Sequence, residues 1–232
     1  MGKTAVMSKD ALLACCRELG FDLSPQALDG LFVYLDMLCR WNTAMNLTGA
    51  RTWRDALAGL VADSFHLARF FDGLPLPAAP DGGPDAVDLG AGAGLPGIPL
   101  RLVWQKGRYT MVEAREKRAL FISSVLARLS LPRTEVYRGR AGDFFAGRGG
   151  TCGLIVSRAF MPWREILSLA APHLGAGGVI VVLASQAPPK AAPEGWLQTG
   201  AREYTACGRQ RWFWAFTPAR GAAALSARGE SA

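Results

Sequence analysis

The sequence predicts an α/β protein: a Rossmann-like, mainly parallel sheet with a C-terminal antiparallel pair and an N-terminal helical extension. Three observations lead there. From residue 85 onward, short apolar strand patterns alternate with helical ones. One of those strands runs straight into alternating glycines, Val87-Asp88-Leu89-Gly90-Ala91-Gly92-Ala93-Gly94. The residues before it read as helices, and a loop rich in proline and glycine separates the two parts.

The extension covers residues 1–74. Helices are expected over 8–20, 25–41 and 53–72. In the second, Leu28, Leu31, Phe32, Leu35 and Leu38 form one apolar stripe, and Ser24-Pro25 supplies a cap followed by proline at the first helical position. Residues 75–84, PLPAAPDGGP, form the linker. The body follows over 85–217. Its strands are expected at 86–89, 109–113, 134–138, 154–157 and 179–184, with helices over 117–129 and 163–173. Such alternation implies a parallel sheet covered on both faces. After a loop with several prolines at 187–195, strands at 203–207 and 212–216 are expected to pair antiparallel. Residues 218–232, rich in Ala, Gly and Ser, are expected to be a disordered tail.

Composition narrows the function classes. The 232 residues are half hydrophobic, and no apolar run reaches the roughly 18 residues of a membrane span. Asp10, Arg17 and Glu18 flank a short apolar stretch, which is no signal peptide. The Met-Gly start lacks the serine or threonine that myristoylation needs at position 6, which is Val6. Five cysteines without a Cys-x-x-Cys pair, and only two histidines, point to no metal site. A cytoplasmic, monomeric protein without a membrane partner is expected. The net charge of +7 is unevenly spread: residues 101–165 hold thirteen basic against five acidic side chains. Such an excess attracts a polyanion; the other reading is a solvated surface.

Glycines let the main chain turn sharply and let a ligand approach it closely. Gly90, Gly92 and Gly94 are therefore candidate nucleoside contacts. Asp88 ends the strand before them, and Glu113 ends the next, where an acidic residue takes ribose hydroxyls. Dinucleotide sites space their glycines G-x-G-x-x-G and turn a helix N-terminus toward the pyrophosphate. Here the spacing is G-x-G-x-G and Leu95-Pro96-Gly97 follows, so proline removes a donor. Asp88 would repel a pyrophosphate but suits a sulfonium and an amino group. Electrostatics favours S-adenosylmethionine over NAD.

The run DLGAGAGLPGIPL resembles the cofactor loop of the bacterial 16S ribosomal RNA guanine-N7 methyltransferase G family, also called glucose-inhibited division protein B. Trp41-Asn42, Asn46-Leu47-Thr48, Asp63-Ser64 and Ser157-Arg158-Ala159-Phe160 keep that family's order and approximate spacing. The resemblance implies a class I methyltransferase, with 16S ribosomal RNA or the small ribosomal subunit as partner. It also implies cofactor contacts at Gly90, Leu95, Ala141, Gly142 and Arg158. The chain departs from the family pattern at Leu60, where a histidine is common, at Gly142, often acidic, and at Ala184, within a common Leu-Lys-Gly.

A guanine N7 fits the residues. It carries a lone pair and no proton, so the enzyme works by alignment and a preorganised field rather than by a base. Neither histidine, His66 or His173, is needed as a catalyst. Exocyclic-amine methylation goes with an Asn/Asp-Pro-Pro-aromatic sequence after the fourth strand, where this chain has Ser157-Arg158-Ala159-Phe160. Cytosine C5 methylation needs a cysteine, and Cys152 lies at the wrong end of its strand. Arg158 is the leading candidate for the reaction, pairing with the cofactor carboxylate or an RNA phosphate. Asn46 and Thr48 are candidates for lining the same pocket, with helix capping as the other reading. Trp41 is read as core. The alternatives are a small-molecule methyltransferase and a noncatalytic RNA- or ribosome-binding module.

Overall fold

A computed structural model describes residues 7–78 and 82–219. Seven strands form one sheet: β1 (Asp85–Leu89), β2 (Arg108–Glu113), β3 (Thr134–Arg138), β4 (Cys152–Arg158), β5 (Leu174–Ala184), β6 (Trp196–Ala206) and β7 (Arg209–Pro218). Their order is β3-β2-β1-β4-β5-β7-β6. The first five are parallel, and β7 runs antiparallel to both β5 and β6. The sheet reverses its winding between β1 and β4, the place where open α/β sheets bind ligands beyond the strands' carboxyl ends.

The helices are α1 (Lys9–Glu18), α2 (Pro25–Met45), α3 (Trp53–Ala56), α4 (Ala62–Phe71), α5 (Gly97–Val103), α6 (Glu116–Leu126), α7 (Ala141–Gly147) and α8 (Trp163–Ala170). Strand alternation sorts them into layers. Ala86 of β1 joins a core with Ile98 of α5, Phe121 of α6 and the stripe Leu31, Leu35 and Leu38 of α2. Val87 and Leu89 point the other way, into a core with Phe144 of α7 and Ile166 of α8. Each of the larger of these side chains, the Val, Leu, Ile and Phe, contributes about 1.5–3 kcal/mol on burial. The extension thus shares the core of the sheet's first face.

Several boundaries differ from the sequence reading, each for a local reason. Helix α2 runs to Met45 and stops at Asn46, whose left-handed φ of 48° ends it. The helix expected over 53–72 is continuous but holds one π turn, Leu57–Val61, between α3 and α4. The helix expected over 163–173 changes to a 3-10 turn at Ala171–His173. Short α5 carries Gly97 and Pro99 and short α7 carries Gly142 and Gly147, which hide helical periodicity. Strand β6 starts seven residues before the expected 203, because its first half is mostly exposed edge strand with no alternation to read. Cys207 lies in the β6–β7 turn, with φ of 50°. Pro218 still belongs to β7, and residues 220–232 of the expected tail lie outside the described residues.

Arg101 is a fully buried cation. Its guanidinium donates to the carbonyls of Trp104, Gln105, Lys106, Gly107 and Pro132 and to the Thr134 hydroxyl, at 2.9 to 3.3 Å. One side chain thereby closes the end of α5 and ties the entries of β2 and β3 together. Burial pulls its pKa down to about 10.

Candidate cofactor and acceptor site

The glycine loop lies beyond β1 with Gly90, Gly92 and Gly94 at φ of 72°, 59° and 75°, a region L side chains rarely adopt. Gly92 is open above: a Cβ there would meet nothing nearer than 3.9 Å. At Gly90 a Cβ would strike the Phe160 ring at 2.5 Å, so the segment after β4 covers this glycine. Leu95, nearly buried, passes the chain through a cis bond to Pro96. Glu113 holds the loop from the neighbouring strand: Oε2 accepts from the Gly92 amide at 2.8 Å and Oε1 from the Arg115 amide at 2.8 Å.

The start of α5 has few amides to offer a ligand. Pro96 and Pro99 have none, Ile98 donates to the Gly94 carbonyl at 2.7 Å, and Leu100 to the Pro96 carbonyl at 3.0 Å. That leaves Gly97, which sits on Asp88: a Cβ at Gly97 would come within 2.9 Å of Asp88 Oδ2 and 2.7 Å of Met111 Sδ. The loop therefore leaves space for a nucleoside above Gly92 and lacks the amide cradle of a pyrophosphate.

Asp88 itself does not face that ligand. Only 1% of it is exposed, because alternation along β1 turns it under α5. Neither of its oxygens has a partner of hydrogen-bonding geometry. Burial lifts its carboxyl to about 7, drawn partly back by the Tyr109 hydroxyl, the Gly97 amide and Arg158. Its charge is thus not available to select a sulfonium, as the sequence reading has it; it seats the helix. A carboxyl held above its unfolded value stabilises most below about pH 4 and loses that contribution as pH rises through 7. Asp88→Asn should flatten this slope, a difference on the order of 4 kcal/mol between the two proteins' pH profiles of urea unfolding.

Arg158, at the tip of β4, is held by Asp63 of α4 at 3.1 Å. Asp63 is 2% exposed and carries more. Its Oδ1 accepts from Arg211 Nη1 of β7 at 2.6 Å and from the Tyr204 hydroxyl of β6 at 3.0 Å. Arg211 also donates to the Gly59 carbonyl at 2.9 Å; Gly59 lies in the π turn, a distortion that often marks functional helices. Asp63, Arg158, Tyr204 and Arg211 line a cavity of about 420 Å³ with Ala159, Met161, Trp163, Trp214 and the β5 exit Ala184-Ser185-Gln186. The Ala184 departure from the family pattern therefore falls in this wall.

The structure does not bring the three reaction candidates together. Asn46 and Thr48 line a different cavity, with Asn42, Arg51 and Thr52. Asn46 caps α2, and Thr48 accepts from the Ala50 amide at 3.3 Å while its own amide donates to Asn42 Oδ1 at 2.7 Å. The capping reading fits their geometry. Ala141 and Gly142 open α7 beyond β3, at the same sheet edge as the glycine loop. Trp41 packs edge-on against Phe121 with centroids 5.5 Å apart, as core. His66 lies between Phe21 and Tyr204, and His173 stacks on Phe145; burial lowers both pKa values. Asp63, Tyr204 and Arg211 were not singled out as site residues. An acid in the apolar run Leu57–Val61 to Phe65, and an arginine in register with inward Phe213, are the signals that would find them. Among the described residues, no group of three or more His, Cys, Asp or Glu could hold a metal, and no helix is long and apolar enough to cross a membrane.

Sheet order, glycine loop and flanking helices define a Rossmann-like methyltransferase fold. An O-methyltransferase from Bacillus cereus shares it with a TM-score of 0.60 at 16% identity, covering 90% of this chain and 100% of that one. A magnesium protoporphyrin IX methyltransferase from Synechocystis aligns with a TM-score of 0.52 at 10% identity, over 80% of this chain and 97% of its own. The family model for rRNA small subunit methyltransferase G (GidB) matches residues 28–195, and the chain belongs to that family. The ribosomal RNA small subunit methyltransferase G of Nitratidesulfovibrio vulgaris is 51% identical over 91% of this chain and 95% of its own. That of Lawsonia intracellularis is 44% identical over 85% and 90%.

Proposed function

We propose that this protein transfers a methyl group from S-adenosylmethionine to N7 of a guanine in small-subunit (16S) ribosomal RNA, as a cytoplasmic monomer. The observation that carries this reading is the cavity at the carboxyl end of β4, the strand paired with β1 that leads into the glycine loop, where Asp63 fixes Arg158 and Arg211 as a pair of donors. The donor supplies an electrophilic methyl; the open backbone at Gly92, with Glu113, Leu95, Ala141 and Gly142 around it, would hold the nucleoside. Guanidinium groups suit the guanine edge that carries O6 and N7. Donation to O6 leaves the N7 lone pair free to form the new bond, while the carbon–sulfur pair returns to sulfur. Adenine presents an amino group at the same place, which an arginine cannot accept from. The base becomes cationic as it reacts, and Asp63 offsets one of the two arginine charges beside it. No proton moves, so no base is needed; His66 packs behind Tyr204 of the cavity wall and His173 stacks on Phe145, and neither is required as a base.

The RNA reading has its own support. Of the thirteen basic residues over 101–165, Arg115, Lys117, Arg118, Arg138, Arg140, Arg158 and Arg164 stand beyond the carboxyl ends of β2, β3 and β4. Glu116, Asp143 and Glu165 offset part of this edge, and Arg138 pairs with Glu116 at 2.7 Å. Arg101 is buried, and the others lie toward the amino ends. RNA affinity should therefore fall steeply with salt, and Arg115→Glu with Lys117→Glu should reduce the log–log slope by about 1.5 while S-adenosylmethionine affinity holds. Titrations of small-subunit RNA at several salt concentrations check this. The proposed function is tested by incubating protein, labelled donor and small-subunit particles: label should enter the RNA. Label entering only small molecules would assign another acceptor class, and none at all would favour a binding module.

A further inference from the structure

We propose that Tyr34, in the N-terminal extension, is a positioning residue for the methyl donor: its hydroxyl holds the glycine loop in the form that binds. The inference rests on reading residues 90–95 as the donor loop. Tyr34 lies in the middle of α2 and is fully buried. Its hydroxyl donates to the carbonyl of Ala93 at 2.9 Å, across 59 residues of sequence. Ala93 sits between Gly92 and Gly94, both at positive φ, and is itself 3% exposed.

A loop of alternating glycines has many conformations open to it and must be fixed from outside. The carbonyls of Ala91 and Gly94 take backbone amides of the loop and of α5. Two other groups of the loop, the Gly92 amide and the Ala93 carbonyl, take side chains from two different elements. Glu113 of β2 accepts from the Gly92 amide, and Tyr34 of α2 donates to the Ala93 carbonyl. The Tyr34 ring packs against Phe121, which also meets Trp41 edge-on, in the core that the extension shares. Burial raises the Tyr34 pKa far above the ordinary tyrosine value, so the hydroxyl keeps the proton it donates. The extension is then a working part of the donor site. A donor that binds only the clamped loop must, in turn, tighten α2 around Tyr34.

Tyr34→Phe keeps the ring and deletes the clamp. Calorimetry should show S-adenosylmethionine binding weakened about tenfold, because the competent loop is a smaller fraction of the protein. The single-turnover rate at saturating donor should stay within about twofold of wild type. Phe121→Leu trims the ring beside Tyr34 but keeps the hydroxyl that donates to Ala93; it should lower the melting temperature and weaken donor affinity by less than Tyr34→Phe does. Wild-type affinity in Tyr34→Phe would overturn the proposal, as would an equal loss in Phe121→Leu. If Tyr34→Phe does not fold, hydrogen exchange on the wild-type protein decides. Added S-adenosylmethionine should protect residues 91–95 and the α2 amides near Tyr34 together. Protection of the loop alone overturns the clamp; no protection of the loop overturns its assignment as the donor loop.

Discussion

Asp63→Ala should slow single-turnover methyl transfer by about a hundredfold and destabilise the protein by about 3 kcal/mol. The carboxylate is 2% exposed and binds Arg158, Arg211 and Tyr204 at once. Without it, two guanidinium groups, each with about a fifth of its side chain exposed, face each other with no counter-charge. They swing toward solvent, and the donors proposed to hold the acceptor base are lost. Asp63→Asn keeps the shape and one acceptor, so it should fold better than Asp63→Ala but stay slow. S-adenosylmethionine affinity should change far less than the rate, because no glycine-loop residue lines the cavity around Asp63. Rapid-quench transfer assays and denaturant unfolding of both variants check this. A fast, stable Asp63→Ala protein would remove the cluster from the account.

Arg101→Met should be the most damaging single change outside the site, costing about 4 kcal/mol. Its fully buried guanidinium serves five carbonyls and one hydroxyl. Methionine fills the space but leaves those acceptors unpaired. Arg101→Lys keeps the charge, yet three ammonium donors cannot cover six acceptors spread over a planar fork. It should recover less than half of the loss. Thermal unfolding followed by circular dichroism measures both; donor affinity at a temperature where the variant is folded should match wild type.

The fold was legible because period-two and helical patterns change at residue 85, and because strands buried on both faces read as short apolar runs. The glycine loop was legible because alternating glycines after a strand have few other uses. Long-range chemistry was not. Asp63 stands 95 positions before Arg158 and 148 before Arg211, and nothing local marks the three as one cluster. Asn46 and Thr48 were read as pocket residues and belong to the Asn46-Leu47-Thr48 landmark of the family resemblance. Helix α2 extends to Met45, and the same residues end it and shape the turn. Asp88 was read for its charge, but strand alternation turns it inward, where burial governs its proton. The basic stretch over 101–165 was read as one patch, whereas the sheet divides it between two edges and buries Arg101.

The central claim is the transfer of one methyl to a guanine N7 of small-subunit RNA. It is tested most directly by mass mapping of that RNA from cells with and without the protein. One guanine should carry 7-methylguanosine only when the protein is present, and the purified protein with S-adenosylmethionine should restore it to the unmethylated subunit. Identical maps, or a methyl gained at an exocyclic amine or a pyrimidine carbon, would contradict it.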